Sequence, residues 1–403
     1  MIRATMTLEP GRQRYHGLDA LRAFAMLLGV VIHVALYFQE TPPDAIWPIR
    51  SIERSPFAGL LVIAIHVFRM PLFFVMAGFF AAMMLERRGA AQFVGNRLLR
   101  IGLPFVAGWF ILFPLVKFSF IFAMFHGGGV DVRDSIAGAA STLATEGAWS
   151  DASPIHLWFL YYLLILYAGV LAAGLLVRSI PPLGRAWQRI ASCCITGRWR
   201  LPILITATFG LLTTMDMPGA DTPTDFVPQI RVLLYYGFFL LVGWAFWKHR
   251  GAVGDLHRWS WLRLLLGLFA LGGSTVLMIT YFVTAFEGSG FDSTEATVLY
   301  YLTQVVIAAT VWLMILGGIG VAERIMRRHH PVIRYLVDAS YWIYLAHLPL
   351  CVFLPALLRD WQLDGTVQMF VLMALVTVLL VVVWQALLGI IPSRRTVSST
   401  RNA

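Results

Sequence analysis

The sequence predicts an all-α polytopic membrane protein with about ten transmembrane helices, and two observations carry that reading. Of its 403 residues, 59% are hydrophobic and only 13% charged, roughly half the charged fraction of an average soluble domain. Apolar windows of about 20 residues, each long enough to cross ~30 Å of hydrocarbon as a helix, recur from end to end. The expected spans are 17–39, 57–85, 98–125, 155–177, 201–217, 232–247, 262–286, 297–322, 335–358 and 366–391. The fifth and sixth are short. LPILITATFGLLTTM supplies only fifteen strongly apolar residues, so that span either draws in polar flanks or sits where the bilayer is thin. The first span follows a polar stretch of some sixteen residues and lacks a small-x-small cleavage site; it is also too long for the core of a signal peptide.

An even number of spans puts both termini on one side, and charge selects the side. With the N-terminus inside, 23 Lys and Arg residues fall in the inner segments and five in the outer ones, at Arg50, Arg54, Arg133, Arg231 and Arg359. The positive-inside bias therefore predicts cytoplasmic termini. The net charge of +10 sits in short loops beside spans, so it is a topology signal and not a nucleic-acid footprint. The chain reads as one integral domain over 1–403. Its longest outer connection, 126–154, is rich in Gly, Ala and Ser; a short amphipathic segment on the membrane face and an unstructured linker are both compatible with it. Cys193, Cys194 and Cys351 offer neither a disulfide framework nor metal-ligand spacing, so no metal is expected.

Ionisable groups at bilayer depth cost roughly 3 kcal/mol or more unless they face a protein interior or a wet cavity, which makes them the functional candidates. Span 1 carries Asp19, Arg22 and His33. Asp19 and Arg22 are three apart, a spacing at which opposite charges pair on a helix. Arg22 and His33 are eleven apart, about three turns and ~16 Å along one face. An imidazole near the outer end of that helix is suited to general-base work on an alcohol, or else hydrogen-bonds a neighbouring helix. Span 2 adds His66 and Arg69 on one face. Arg69 stays charged and must meet an anion, a carbonyl cluster or water; a substrate carboxylate or Asp338 is the candidate anion. Pro71 and Gly78 can kink this helix or let it pack closely. Lys117 in span 3 reads chiefly as a side chain snorkelling to the outer interface. His347 completes the buried set. Arg97 and Arg100 stand one turn apart at the inner entrance of span 3, where they either anchor the inner side or bind a phosphorylated ligand. Trp149 and Trp158, near the outer side, are interfacial anchors or platforms for sugar rings, anchors being the commoner use.

These residues resemble the acyltransferase-3 family of integral membrane acyltransferases. The likeness is carried by Arg22 and His33, with ten residues between them; by Arg97-x-x-Arg100; and by LDALRAFAMLLGVVIHV at 18–34, FFVMAGF at 73–79, HLWFLYYLL at 156–164 and SYWIYLAHLPL at 340–350. Within that family the chain looks like the glucans biosynthesis protein C group, which the resemblance links to succinylation of periplasmic glucans. The resemblance implies a multi-pass protein of the bacterial inner membrane with both termini cytoplasmic. It implies transfer of an acyl group, such as succinyl or acetyl, from cytoplasmic acyl-coenzyme A to a hydroxyl of an extracytoplasmic glycan, with acyl-CoA as co-substrate and no tightly bound cofactor. On that expectation His33 is the general base or a transient acyl carrier, Arg22 with Asp19 lies on the donor path, and Arg97 and Arg100 dock the coenzyme A nucleotide. His66, Arg69, Asp338 and His347 then surround the acyl group or acceptor, with Arg69 and His66 holding the free carboxylate of a dicarboxylic acyl group. A transporter or flippase for an anionic or glycosylated solute is the competing expectation, because buried cations would also serve a translocation path.

Overall fold

The computed structural model describes residues 15–390 except 41–46, 48, 289 and 327–329; the basic tails at 1–14 and 391–403, and with them the two termini, lie outside the described residues. Twelve α-helices follow one another: α1 (His16–Tyr37), α2 (Pro56–Arg97), α3 (Leu103–Gly127), α4 (Val132–Glu146), α5 (Trp158–Ser179), α6 (Pro181–Thr196), α7 (Arg200–Leu212), α8 (Ile230–Lys248), α9 (Ser260–Glu287), α10 (Thr294–Ile325), α11 (Pro331–Leu357) and α12 (Gly365–Ile390). Among the described residues there is no strand, and eight segments are long and apolar enough to cross a membrane.

One of those eight, Pro56–Gly127, is 72 residues long and would measure ~108 Å as a straight helix, far more than a bilayer accommodates. Gly89, at φ +78°, breaks it, a backbone conformation that glycine adopts at little cost. Arg97 then reaches back to Met84, with Nη2 donating to Sδ at 3.5 Å. Thirteen residues along a straight helix would put ~20 Å between those positions, so the chain folds back at Gly89. The returning leg passes through a π-helical turn, Leu98–Gly102, into α3. At the other extreme, α7 has thirteen residues, ~20 Å of helix, shorter than ~30 Å of hydrocarbon, in keeping with the short apolar run of the expected fifth span, whose crossing then needs polar flanks or a thin bilayer.

Small residues set the closest helix crossings. A Cβ on Gly78 would overlap the Leu240 carbonyl, and one on Gly243 would overlap the Val75 carbonyl. α2 and α8 therefore touch backbone to backbone, in the small-residue manner of membrane helices. Gly17 similarly admits the backbone of Ala322 and Glu323 at 2.6 Å from its absent Cβ, and Glu323 Oε1 accepts the otherwise unpaired Leu18 N–H at 2.9 Å.

Long-range contacts sort the helix ends into two sets. At one end Lys248 pairs with Glu86, at 2.6 Å, and Gln385 donates to the Tyr335 hydroxyl at 2.7 Å. At the other end Ser55 meets Thr366, at 3.0 Å, and Arg359 donates to the His126 carbonyl. The first end carries most of the arginines flanking the spans and the amphipathic helix α6, which sits in what the sequence reads as a loop. The second carries α4, so the 126–154 connection does hold a helix. Asp131 caps it by accepting from the backbone N–H groups of Arg133 and Asp134, at 2.7 and 3.1 Å, and Gly138 lets it lie on the Phe125 ring.

Two apolar cores result. One is built on α2, α5, α8 and α10 around Phe74, Tyr235, Phe239 and Trp312. The other joins the second half of α1 to α3, α11 and α12 around Val34, Phe122, Ile343 and Val352. The seam between them, toward the second end, is where polar side chains collect.

Candidate active site

A cavity of about 440 Å³ opens at that seam, within the size range of small-molecule sites. Its wall is mostly apolar, from Ile32, Met70, Phe113, Phe120, Phe159 and Leu348 among others, and its polar groups include those of His33, His66, Arg69, Lys117, His156, His347, Asp151, Tyr344 and short Ser and Thr side chains. Of the expected site residues, His33, His66, Arg69 and His347 come together here, from three different helices.

Three imidazoles form a row. The His33 and His347 rings have centroids 5.1 Å apart, and His347 and His156 follow at 5.0 Å. His347 Nδ1 lies 2.7 Å from the Tyr344 carbonyl; a carbonyl only accepts, so Nδ1 carries the proton and the neutral ring keeps its lone pair on Nε2. That Nε2 is buried without a partner. His156 is held the opposite way. Pro349 has no N–H, which leaves the Leu345 carbonyl of α11 without its helical donor, and His156 Nε2 supplies one at 2.9 Å. The Tyr344 hydroxyl returns the contact by donating to the His156 carbonyl at 3.0 Å. His33 has no such clamp. It stacks on Trp47 at 5.8 Å, and its Nδ1 is buried with no partner.

Arg69 projects into the cavity with Nη1 unpartnered, while Nη2 reaches only the Met70 sulfur at 3.8 Å. Among the described residues no carboxylate pairs with it. His66, one turn away, meets the Thr222 hydroxyl through Nε2 at 2.9 Å. Thr222 belongs to the 213–229 connection, which is tied down over the cavity. Gln304 accepts from the Gly219 N–H and donates to the Leu212 carbonyl, both at 2.9 Å, and the Tyr161 hydroxyl donates to the Phe226 carbonyl at 2.9 Å. Arg231 grips Asp216 with both guanidinium arms. Those hydrogen bonds hold the Asp216 carboxyl below its ordinary range, whereas burial pushes Asp221 up.

The remaining expected residues lie elsewhere. Asp338 does not face Arg69: it pairs with Arg334, four residues back on α11, at 2.9 Å. Asp19 and Arg22 do pair, at 3.5 Å, and the Arg22 guanidinium lies 5.9 Å above the Phe80 ring of α2, toward the first end and outside the cavity. Arg97 is drawn between the Phe93 and Tyr167 rings, each at 5.2 Å, while Arg100 is exposed. The two side chains thus have different surroundings, and the π-helical turn Leu98–Gly102, wider than an α turn, begins between them. Lys117 is more than a snorkelling side chain. It lines the cavity and binds the 147–150 turn through the Gly147 and Ser150 carbonyls at 3.3 and 3.4 Å. Trp158 is on the wall and Trp149 is not. His156 and Trp47 are wall residues that sequence reasoning missed; Pro349, two residues past His347, was the available signal for His156.

Residues 15–387 match the family described as "Acyltransferase domain". The chain is similar to proteins named "Glucans biosynthesis protein C" from Salmonella heidelberg (strain SL476) and Salmonella paratyphi B (strain ATCC BAA-1250 / SPB7), each 26% identical over 365 residues, covering 87% of this chain and 85% of the relative. No solved structure matches.

Proposed function

Because this chain belongs to the acyltransferase family of membrane proteins, we propose that it transfers an acyl group from acyl-coenzyme A, bound at the first end, to a hydroxyl of an extracytoplasmic glycan that enters the cavity at the second. The observation that carries the proposal is the cavity itself. It gathers His33, His347 and an unpaired Arg69 inside an apolar wall, where a proton acceptor and a cation act with little competition from water.

On this reading the chain crosses the membrane ten times, with Pro56–Gly127 counting twice and α7 once, and both termini are cytoplasmic in a bacterial inner membrane. The positive-inside bias supports that orientation. Arg22 lies on the donor path and Arg97 and Arg100 near its nucleotide, since all three sit toward the arginine-rich end. Arg69 and His66 receive the acyl group, and the carboxylate of a dicarboxylic acyl group such as succinyl is the anion that Arg69 lacks. The glycan acceptor is supported by the name of the similar proteins, glucans biosynthesis protein C. His33 stands where the acyl carbon and the hydroxyl meet.

The test is ester formation. Inverted membrane vesicles carrying the protein, given radiolabelled succinyl-CoA and linear glucan in the lumen, are expected to yield alkali-labile labelled glucan. His33→Ala is expected to lower the rate by about 10² or more, the usual weight of a positioned acid–base group. Wild-type vesicles that form no ester, or a His33→Ala protein with the wild-type rate, would overturn the reading.

A further inference from the structure

His347 and His33 differ in one respect that bears on which of them takes protons. A general base works from a defined tautomer, usually fixed by a hydrogen bond to the other ring nitrogen. His347 has that bond, from Nδ1 to the Tyr344 carbonyl at 2.7 Å, and it presents an unpartnered Nε2 on a side chain only 1% exposed. His33 lacks it. Its ring is held by stacking on Trp47, no hydrogen bond among the described residues sets which nitrogen carries the proton, and the two rings are 5.1 Å apart. A second observation concerns the space beside Nε2. Gly29, one turn before His33 on the same face of α1, leaves a gap there: a Cβ on Gly29 would stand 3.4 Å from His347 Nε2 and 3.5 Å from Arg69 Nη1.

Resting on the acyl-transfer reading, we propose that the two histidines divide the reaction, His33 carrying the acyl group and His347 serving as the catalytic base for the acceptor hydroxyl. In the first step a ring nitrogen of His33 attacks the thioester carbonyl. The C–N bond forms, the C–S bond breaks, and the thiolate leaves with the proton lost from the other His33 nitrogen. In the second step the acceptor oxygen attacks the acyl carbon while its proton passes to His347 Nε2. The C–N bond then breaks, its electron pair returns to His33, and His347 gives the proton back to the His33 ring. The sum is thioester plus alcohol giving ester plus thiol, with both histidines restored. Gly29 is bare because a side chain there would cover the nitrogen that takes the proton.

The experiment follows both steps in the full-length protein in vesicles, with radiolabelled succinyl-CoA as donor and glucan as acceptor. His347→Gln is expected to slow ester formation at least 100-fold while label accumulates on His33, found by mass spectrometry after rapid quenching. Gly29→Ala, whose methyl meets its neighbours at ordinary contact distance, guards against misfolding of the first variant and is expected to show the same accumulation. His33→Gln should carry no label. Replacing the glucan by hydroxylamine, a stronger nucleophile less dependent on a base, should restore most of the turnover to His347→Gln. A wild-type rate in both His347→Gln and Gly29→Ala overturns the assignment, and so does loss of activity in both without acyl on His33. If the wild-type protein itself forms no ester, it is the acyl-transfer reading that fails.

Discussion

A lone guanidinium on the wall of an apolar cavity is an unusual arrangement, because a buried charge without a partner is costly and is kept where a ligand completes it. Arg69 is such a group, with Nη1 unpartnered and Asp338 committed to Arg334. Replacing Arg69 by Leu should therefore act on the acyl group according to its charge. With succinyl-CoA, kcat/KM is expected to fall about 10- to 100-fold, the weight of one hydrogen bond to a charged group; with acetyl-CoA it should change little. Steady-state kinetics with the two donors decide it, and equal losses would count against carboxylate recognition. Depth in the bilayer was enough to single out His33, His66, Arg69 and His347 from the sequence, since an ionisable residue inside an apolar run needs a reason wherever it lies. Partner choice was less legible. Asp338 had a cation four residues away on its own helix, the spacing at which helical neighbours pair, and that local bond prevailed over a distant one. His156 went unnoticed because it borders the outer connection, and its place depends on a carbonyl freed by a proline 193 positions later.

At the scale of the helices, the crossing of α2 and α8 fixes where His66 and Arg69 stand, since both lie on α2 between the contact and the second end. Gly78 and Gly243 each press on the facing backbone, which cannot swing aside as a side chain can. Gly78→Ala should force the helices apart and lower stability by about 1–3 kcal/mol, the usual range for overpacking. Gly95→Ala, in the leg of α2 that returns after Gly89, is the control, as its Cβ meets nothing within 4 Å, and it should hold or slightly raise stability. Thermal unfolding of the two variants in detergent measures the difference, and equal midpoints would remove the crossing from the list of structural determinants. The role of Gly78 was readable from its place in an apolar helix. So was the reversal between the expected spans 57–85 and 98–125, although not that Gly89 makes it, because the residues on both sides are good helix formers. Two other features were not readable. α6 carries arginines that resemble loop charge until its apolar face, Ala191 and Ile195, is seen to pack. The π turn that begins between Arg97 and Arg100 comes without any residue that announces it.

For the molecule as a whole, the two sets of helix ends have different chemistry, and the proposed reaction needs both. One end gathers most of the arginines flanking the spans, together with α6; the other gathers the cavity and the tied-down 213–229 connection that lies over it. α1 joins them, with Arg22, Gly29 and His33 at intervals of seven and four residues along one face, so an acyl group passing outward along that face would meet them in turn. Such a path works in one orientation only, with the arginine-rich end in the compartment that holds acyl-CoA. The native cysteines report that orientation without further engineering. Cys193 is exposed on α6, while Cys351 is fully buried in α11. A membrane-impermeant maleimide should label Cys193 in inverted vesicles and leave it unmodified in intact spheroplasts, with Cys193→Ser removing that part of the signal. Labelling from the outside would reverse the molecule in the membrane, placing the cavity with its histidines in the cytoplasm and removing the separation of donor from acceptor on which transfer across the bilayer depends.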